Sequence, residues 1–471
     1  MGSFSSRNPA RPAEVVATFD TANADQVVAA VDAAVAAQRR WAALRPAERA
    51  TVVGGVAHAL AKQTHELVDL IVTEVGKTTR EASGEVRKSV EQFHFASQLA
   101  YLTEGVTYPD EEPGTFAYTL RTPLGVVAAI TPWNFPLSLP ARKTAAALAV
   151  GNAVVFKPSP IAAAVGELFV QTARQAGVPP EVLQVVHGDE PAAMAALVQH
   201  PAVRAVTFTG SDTVGEKLQA QVQRFARLQL ELGGRNSAVV AADADVERAV
   251  ADIAAAAFGQ AGQTCTATDQ VLVHHDVYDR FCQAMARRVA GLVAGPGHHD
   301  QVSCGPVATA AQRDRLQAMF AAAEKAGARL LARGQLLPGA DPDGYWVPPA
   351  VYADVPDGEA LVEEEVFGPG LSLRPVGSVQ EAIDRINGSS HGLATSLHTA
   401  DLGAAQHFAR HVACGIVKIN GRTTGNGVAP PFGGWKRSSS GAFPEGGRGA
   451  LDFFTETKSV YSSATFADLG R

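Results

Sequence analysis

The stretch Gly259-Gln-Ala-Gly-Gln-Thr-Cys-Thr-Ala-Thr268 places a cysteine among small and polar residues, after an Ala-rich segment with a helical pattern. Cysteines that serve only in packing usually have large hydrophobic neighbours, as Cys282 has in Phe281. Cys265 has no such neighbour, which favours a thiol held open to a substrate as a nucleophile. Taken alone, it could equally be a small residue in a tight loop, so the rest of the chain must decide.

Two polar residues follow predicted strands and are candidates for acid–base or oxyanion roles. Asn134 lies in Thr131-Pro-Trp-Asn-Phe-Pro136, directly after a strand-like segment at residues 126–130. Ligands of open α/β sheets bind beyond that end of a strand, where an amide can donate to a developing oxyanion. Glu231 follows another strand-like segment, where a carboxylate can take a proton from water. Without further context, the first segment reads as a turn and the second as an exposed loop.

Two further segments have the composition of ligand contacts. Phe208-Thr-Gly-Ser-Asp-Thr-Val-Gly215 leads from a predicted strand into a helix, whose free N–H groups would bind a pyrophosphate. The segment is neither GxGxxG nor a P-loop, so it is a weak signal alone. Glu363-Glu-Glu-Val-Phe-Gly-Pro369 places acidic residues ahead of an aromatic residue and a turn, and in isolation it reads as a solvated acidic loop.

The composition predicts a globular chain of several domains. At 471 residues the chain is too long for one compact core, and its 46% hydrophobic residues supply ample material for two or three. A net charge of −7 gives no reason to expect binding to nucleic acid or to an anionic membrane. No apolar run approaches the roughly 20 residues that a membrane-spanning helix needs.

The N-terminal residues and the cysteines indicate a compartment and argue against a metal. Residues 1–7 lack the apolar core of a signal peptide. The cysteines show neither CxxC nor zinc-ligand spacing, so we expect free thiols, a cytoplasmic location and no metal site. They are Cys265, Cys282, Cys304 and Cys414.

The hydrophobic pattern predicts an α/β fold. Residues 1–22 read as an irregular lead-in, and helices follow, the first capped by Asn23 and the others at residues 47–76 and 79–101. Short apolar runs then alternate with helical patterns, which is typical of parallel sheets covered on both faces. The predicted strands are 126–130, 153–156, 182–186, 205–209, 228–230, 237–240, 270–273 and 416–419. The predicted helices are 140–149, 162–176, 192–199 and 246–258. Gly233-Gly234 is a plausible boundary between two such sets.

Taken together and in this order, the motifs resemble those of the aldehyde dehydrogenase superfamily. The similarity extends from Asn8 to Lys458. The matching elements are Pro132-Trp-Asn-Phe-Pro136, Lys157-Pro-Ser159, Phe208-Thr-Gly-Ser211, Glu231-Leu-Gly-Gly234, Gly262-Gln-Thr-Cys265, Glu364-Glu-Val-Phe-Gly-Pro369 and Pro431-Phe-Gly-Gly434.

The resemblance implies an α/β architecture in several parts. It implies a Rossmann-like cofactor-binding domain from residues 1–114 and 125–232, an α/β catalytic domain from 233–430, and a return segment at 431–449. A β-strand oligomerisation arm would comprise residues 115–124 and 450–471, with edge strands at 115–121 and 452–460. Pairing these edges between subunits would cover exposed ladders, so a homodimer or homotetramer is expected.

The resemblance also implies roles for individual residues in the oxidation of a small-molecule aldehyde to its acid. Cys265 matches the nucleophile, whose thiolate attacks the aldehyde carbon. Asn134 and the Cys265 backbone N–H match the oxyanion hole. Glu231 matches the base that activates water to hydrolyse the thioester. The cofactor, NADP or NAD, would be contacted by Thr131, Trp133, Lys157, Ser159, Gly210, Ser211, Gly215, Leu232, Glu365 and Phe367.

Two departures from the family pattern bear on specificity. Pro160 stands where the family carries a glutamate that would bind the adenosine ribose and repel a 2′-phosphate, so NADP is favoured over NAD. The segment Ser438-Ser-Ser-Gly-Ala-Phe-Pro-Glu445 also differs from the commoner Ser-Gly-Tyr-Gly-Arg-Glu.

A finer resemblance points to an anionic semialdehyde as the substrate. Arg7-Asn-Pro-Ala-Arg-Pro-Ala-Glu-Val-Val16, Cys265-Thr-Ala-Thr268 and Pro431-Phe-Gly-Gly-Trp-Lys-Arg-Ser-Ser439 resemble 2-oxoglutarate semialdehyde (2,5-dioxopentanoate) dehydrogenases, and Arg142-Lys143 resembles succinate semialdehyde dehydrogenases. Arg142 and Arg422 are the candidates to bind the substrate carboxylate. An aromatic aldehyde is the alternative substrate. A CoA-acylating enzyme and a catalytically silent structural relative are the alternative functions.

Overall fold

The computed structural model of the chain describes residues 2–112 and 114–463. Its helices are α1 Ala24–Ala43, α2 Pro46–Lys62, α3 Thr64–Val75, α4 Thr79–Leu99, α5 Ser138–Ala149, α6 Ala163–Gln175, α7 Pro191–Val198, α8 Asp212–Gln221, α9 Val246–Phe258, α10 His275–Ala290, α11 Ala310–Lys325, α12 Ala360–Glu363, α13 Val379–Gly388, α14 Leu402–His411 and α15 Gly449–Phe454. Short 3₁₀ turns lie at Pro160–Ala162 and Gly259–Gly262.

The strands are shorter and form several sheets. They are β1 Ser3–Arg7, β2 Val15–Asp20, β3 Thr107–Tyr108, β4 Thr115–Pro123, β5 Val126–Ile130, β6 Ala153–Lys157, β7 Leu183–Val185, β8 Val203–Thr209, β9 Arg227–Glu231, β10 Asn236–Val240, β11 Thr268–His274, β12 Val293–Ala294, β13 Arg329–Arg333, β14 Gln335–Leu336, β15 Ala350–Ala353, β16 Gly370–Val376, β17 His391–Gly392, β18 Ala394–His398, β19 Ile416–Ile419, β20 Trp435–Lys436 and β21 Thr455–Ser463.

The first large sheet is parallel throughout and has the strand order β7-β6-β5-β8-β9. Every residue of its central strand β5 is buried, because helices cover both faces of the sheet. The chain leaves β5 toward β6 and β7 and later returns to the other side at β8. The crevice beyond the carboxyl ends of β5 and β8 is therefore the switch point at which such sheets bind ligands.

The second large sheet has seven strands in the order β13-β15-β16-β11-β10-β18-β19, and only its edge strand β13 is antiparallel. Helices α9 and α10 pack on one face in a shared apolar core. The first sheet ends at Glu231 and the second begins at Asn236, on either side of the predicted boundary at Gly233-Gly234. The assignment of whole domains to residue ranges stays a prediction.

The predicted arm is a three-stranded sheet of order β21-β4-β3. Strand β21 pairs antiparallel with all of β4, from Thr455 opposite Pro123 to Ser463 opposite Thr115. The prediction of a strand from residue 452 was wrong at its start, since residues 449–454 form α15. Residues Ala450, Leu451, Phe453 and Phe454 are buried at helical spacing, and this packing outweighs the strand propensity of the phenylalanines. Residues 464–471 of the predicted arm lie outside the described residues.

The N-terminal lead-in is also more regular than predicted. Strands β1 and β2 form an antiparallel hairpin, with Ser3 opposite Asp20 and Arg7 opposite Val15. The buried Asn8 closes its turn by accepting the backbone N–H of Ala10 at 2.9 Å. The predicted cap of α1 is confirmed, since Asn23 Oδ1 accepts the N–H of Gln26.

The predicted helix at residues 47–76 is instead two helices, α2 and α3, divided at Gln63. Within residues 2–112 and 114–463, no helix combines the length and apolar character needed to cross a membrane.

Candidate active site

The cysteine loop connects α9 to β11 through the 3₁₀ turn. Gln260 and Ala261 both have φ of +53°, which is the left-handed region that side chains disfavour. Glu81, in the first turn of α4, accepts the backbone N–H of Gln260 at 2.7 Å and so holds the turn. Gly262 packs so closely on Gly368 that an added Cβ would lie 2.0 Å from its carbonyl oxygen. The loop is thus fixed from two sides before the chain reaches Cys265.

Cys265 is half-buried and is held from the neighbouring strand β10. The side-chain amide of Asn236 donates to the carbonyl oxygens of Cys265 and Ala267, both at 2.8 Å. Asp269 in turn accepts the backbone N–H of Asn236 at 3.0 Å and that of Val366 at 3.1 Å. The sequence analysis did not identify Asn236 or Asp269. The signal that could have identified Asp269 is an acidic residue within a buried strand, where acids are rare.

Burial raises the pKa of the Cys265 thiol to about 12, with a further upward contribution from Glu365 and a downward one from Arg142. The thiol is therefore neutral near pH 7, and a base must take its proton as it attacks. Burial likewise raises the pKa of Asp269 to about 7 and that of Glu365 to about 8.

Asn134 is brought to the same loop. It follows β5, and its side-chain N–H donates to the carbonyl oxygen of Gln263 at 3.0 Å, two residues before Cys265. Asn134 is buried, and its amide still has a second N–H to offer. The structure therefore places an amide donor beside the loop that carries Cys265.

Glu231 is the last residue of β9 and is fully buried rather than exposed. Burial raises the pKa of its carboxyl well above the usual value; Glu445 raises it further, and Lys143 lowers it. The hydroxyl of Ser439 donates to its Oε1 at 3.3 Å. Glu231 also raises the pKa of Cys265, so the two groups share one electrostatic environment.

Lys143 and Glu445 were not singled out from the sequence as site residues. Both are buried and form an ion pair, and the Lys143 ammonium also donates to the hydroxyl of Thr207 at 2.9 Å. Glu445 belongs to the segment whose sequence departs from the family pattern. That segment therefore reaches the carboxylate proposed as the base, through Ser439 and Glu445.

Glu365 and the two aromatic residues lie at the boundary between the sheets. Glu365 accepts the backbone N–H of Gly234 at 3.1 Å, and its carboxylate packs against Gly233. The rings of Trp133 and Phe367 meet edge to face, 5.7 Å apart.

The glycine turn after β8 leads into α8. The N–H of Gly210 donates to the carbonyl oxygen of Glu231 at 3.1 Å, so this turn is tied to the end of β9. An added Cβ on Gly215 would lie 2.6 Å from Leu232, so no larger residue fits beneath the helix. Ser211 is exposed at the N-cap, and its side chain makes no capping bond within the described residues. The helix N-terminus therefore faces outward, as an anion site requires.

Lys157, Ser159 and Thr131 lie at the carboxyl ends of neighbouring strands. Lys157 ends β6 and is half-buried, and burial lowers the pKa of its ammonium. Ser159 caps the following 3₁₀ turn by accepting the N–H of Ile161 at 3.3 Å. The backbone N–H of Thr131 donates to the carbonyl oxygen of Lys157 at 3.2 Å, which joins the two strand ends.

A cleft of about 920 Å³ opens beside the nucleophile. It is lined by Cys265, Arg142, Arg422, Phe135 and Phe432, among others. Arg142 is held in place, with Nη1 at 3.5 Å from Glu445 and its guanidinium 4.7 Å above the Phe432 ring. Arg422 is exposed and pairs with Asp252 at 3.3 Å. Both predicted cations thus reach the cleft of Cys265, but Arg142 is the more rigid.

With this geometry in place, comparison with known proteins identifies the chain. The pattern of the aldehyde dehydrogenase family matches residues 2–460. The chain belongs to this family. Aldehyde dehydrogenases oxidise small aldehydes with NAD(P), and the resemblance in the motifs is confirmed.

Relatives and solved structures agree with this assignment. An α-ketoglutarate semialdehyde dehydrogenase of Haloferax volcanii is 38% identical over 458 residues, which is 97% of this chain and 95% of the relative. A benzaldehyde dehydrogenase [NAD(+)] of Pseudomonas putida is 36% identical, over 94% of this chain and 90% of its own. A putative methylmalonate-semialdehyde dehydrogenase of Sinorhizobium meliloti, complexed with NAD, superposes with a TM-score of 0.95 at 30% identity, over 99% and 96% of the two chains.

The raised pKa of Cys265 predicts how the thiol reacts without cofactor or substrate. Because a neutral thiol is a poor nucleophile, the rate of alkylation by iodoacetamide should rise about ten-fold per pH unit between about pH 7 and 9, without a plateau. Mass spectrometry of the labelled peptide measures this rate, and Cys265→Ser is the control for labelling of the other cysteines. A plateau near neutral pH would show that the thiol ionises in its ordinary range or below.

Proposed function

We propose that this aldehyde dehydrogenase oxidises an anionic semialdehyde, such as 2-oxoglutarate semialdehyde or succinate semialdehyde, to its acid through a thioester on Cys265. Three observations support the proposal. The Asn134 amide is bound to the loop that carries Cys265, and Glu231 acts electrostatically on the Cys265 thiol. Arg142 lines the same cleft as Cys265. Each of these residues contributes a different group to the reaction.

In the first half of the reaction, the Cys265 thiol passes its proton to water, the resulting thiolate attacks the aldehyde carbon, and the carbonyl oxygen becomes an oxyanion. The free N–H of Asn134 and the backbone N–H of Cys265 donate to this oxygen, so the tetrahedral adduct is stabilised where its charge develops. A nicotinamide bound in the cofactor site would supply the acceptor for the hydride of this adduct. Cys265 then carries an acyl thioester.

In the second half, Glu231 takes a proton from water, which attacks the thioester and releases the acid. The raised pKa of Glu231 makes it a stronger base once it is ionised, and the Lys143 ammonium opposes this rise. A CoA-acylating enzyme would not need this carboxylate, because a thiol would accept the acyl group instead. A catalytically silent relative would need none of the three residues.

The fit of the cofactor rests on the first sheet. Gly210, Ser211 and Gly215 offer an outward-facing helix N-terminus at the switch point, packed on Leu232, which suits a pyrophosphate. Thr131 ends the neighbouring strand. We assign Lys157 and Glu365 to the two riboses and Ser159, which follows Lys157 by two residues, to the same contact. We assign Trp133 and Phe367, whose rings meet edge to face, to the wall of the cofactor site.

We further propose that NADP is preferred over NAD. Pro160 begins the 3₁₀ turn after Lys157 and carries no carboxylate to repel a 2′-phosphate. The Lys157 ammonium has one hydrogen-bond acceptor among the described residues, the Pro158 carbonyl at 3.5 Å, and so can bind a phosphate. Asp189 acts on the same ammonium and limits this preference without removing it.

The arm supports a homodimer or homotetramer. Its side chains Phe116, Leu120 and Tyr461 are exposed large hydrophobic residues on β4 and β21, which pair with each other within the chain. Such a surface is typical of contacts between copies of a chain. The compartment that we propose is the cytoplasm, because all four cysteines are free.

Replacing Glu231 tests the reaction type. Glu231→Gln keeps the shape of the side chain but cannot take a proton, so about one equivalent of NAD(P)H per active site should form in a burst and then stop. Stopped-flow absorbance at 340 nm measures the burst, and Cys265→Ala should show none. Undiminished steady turnover in Glu231→Gln would remove Glu231 as the base. Restored turnover with CoA alone would favour the acylating alternative.

Replacing Arg142 tests the substrate class. Loss of a charge-assisted contact to the substrate carboxylate should lower kcat/KM of Arg142→Met about 10- to 100-fold for succinate semialdehyde and 2,5-dioxopentanoate, but not for benzaldehyde. The matched control is Arg422→Met, from the same cleft. A selective loss in Arg422→Met alone would instead assign binding of the substrate carboxylate to Arg422. Benzaldehyde as the best substrate of the unaltered enzyme would favour the aromatic alternative, for which Phe135 and Phe432 supply the walls.

Replacing Pro160 tests the cofactor preference. Pro160→Glu restores a carboxylate beside Lys157, so kcat/KM for NADP should fall at least about ten-fold, while that for NAD is unchanged or rises. The measurement is the ratio of the two values at fixed aldehyde concentration, with Pro160→Gln as the uncharged control. Equal changes for both cofactors, or the same effect in Pro160→Gln, would contradict a role for charge at this position.

A further inference from the structure

A second, much smaller cavity lies behind the Asn134 amide. It has a volume of about 10 Å³ and is lined by Asn134 and Gln260 together with Val75, Gly76, Lys77, Trp133, Gln263 and Pro306. This is about the space that one buried water molecule needs, and polar side chains supply part of its wall. No larger ligand fits.

Two side-chain oxygens in the wall lack partners. Asn134 Oδ1 and Gln260 Oε1 are both buried and have no hydrogen-bond partner within residues 2–112 and 114–463. A buried acceptor left unpaired destabilises the folded state, so two such oxygens on residues that line one small cavity require a donor. Lys77 also lines the cavity, but its ammonium lies 2.5 Å from Glu85 Oε2 and faces the Phe135 ring.

The two amides are held in fixed positions relative to each other. Asn134 donates to the carbonyl oxygen of Gln263, and the side chain of Gln263 donates to the carbonyl oxygen of Gln260 at 3.3 Å. Gln260 itself is held at φ +53° by Glu81. Hydrogen bonds to the cysteine loop thus fix both residues that carry the unpaired oxygens.

We propose that this cavity binds one water molecule, which donates one hydrogen to Asn134 Oδ1 and the other to Gln260 Oε1. Gln260 is then a positioning residue for the oxyanion donor. The role in turnover rests on the proposed function of Asn134, whereas the water site itself does not. Water matches the site because it offers two donors, carries no charge and has the required size.

The water has a consequence for catalysis at Asn134. A hydrogen bond accepted by the carbonyl oxygen of an amide polarises the group, and its N–H becomes a stronger donor. The same bond fixes which end of the amide faces the nucleophile loop, so the N–H rather than the oxygen is presented to the substrate. The oxyanion would then be stabilised through a chain that runs from Gln260 to water to Asn134.

The structural test is a crystal structure of the enzyme at a resolution that shows ordered water. We expect a density peak within about 3.2 Å of both oxygens. Absence of that peak, or a peak that contacts only one of the two oxygens, overturns the proposal. This measurement requires no substrate and stands apart from the proposed function.

The kinetic test uses Gln260→Met, which keeps the length of the side chain but removes its acceptor. We expect kcat to fall about ten-fold with little change in the KM for aldehyde, the size of one lost hydrogen bond. Gln260→Glu, which keeps an acceptor, should recover most of the loss, and the exposed Gln335→Met is the control. Thermal unfolding and the Cys265 alkylation rate establish that each variant is folded around the same thiol.

The outcomes separate the two hypotheses. Inactive Asn134→Ala together with fully active Gln260→Met overturns the positioning role and leaves the proposed function intact. Fully active Asn134→Ala overturns the oxyanion assignment itself. A fall in both kcat and alkylation rate in Gln260→Met would assign Gln260 to the shape of the loop and overturn its action through water.

Discussion

One ammonium, that of Lys143, lies beside two buried carboxyl groups, those of Glu231 and Glu445. The electrostatics of the site follow from this excess of acidic over basic groups. Lys143 is paired with Glu445, and Glu231 lies beside the pair with its pKa raised by burial and by Glu445. A buried carboxylate without a full counter-charge holds its proton more tightly. Glu231 therefore keeps its proton, near the nucleophile, to a higher pH than a solvent-exposed glutamate would. Ionisation of Glu231 in the folded state costs stability as the pH rises, which is the cost of a strong base in a dry site.

The same imbalance reaches Cys265. Its pKa is raised first by burial and then by Glu365, with smaller contributions from Glu231 and Glu445, while Arg142 acts in the opposite direction. Arg142 is held by Glu445 and by the Phe432 ring. Glu445 therefore pairs with both Arg142 and Lys143. An anionic group bound at Arg142 would weaken the effect of its positive charge on both Glu445 and the pKa of the Cys265 thiol.

The sequence was informative wherever function depends on the end of a strand, and silent where it depends on contacts across the fold. Asn134 follows the buried strand β5, and Glu231 is the last residue of β9, so the same reasoning that located these strands located the two residues. Lys143 and Glu445 are 302 positions apart, and Asn236 reaches Cys265 across 29, so neither contact has a local pattern. The β1–β2 hairpin and α15 were misread because their form is decided by packing on other elements. The left-handed residues of the cysteine loop carry no signal either, since neither Gln260 nor Ala261 is a residue that favours this conformation.

Those left-handed residues lie where the chemistry is. Of the non-glycine residues with positive φ, Gln260 and Ala261 precede the nucleophile and Phe367 lies beside Trp133. Each such residue costs of order 1 kcal/mol or more, and it persists only where its neighbours fix it. Glu81 binds the backbone of Gln260, and the side chain of Gln312 donates to the carbonyl oxygen of Phe367 at 2.6 Å. A loop that relied on glycine here would be easier to form but free to move, and Cys265 and Asn134 would lose the fixed separation that oxyanion stabilisation needs. The strained residues therefore help to hold two loops from different sheets in fixed relative positions.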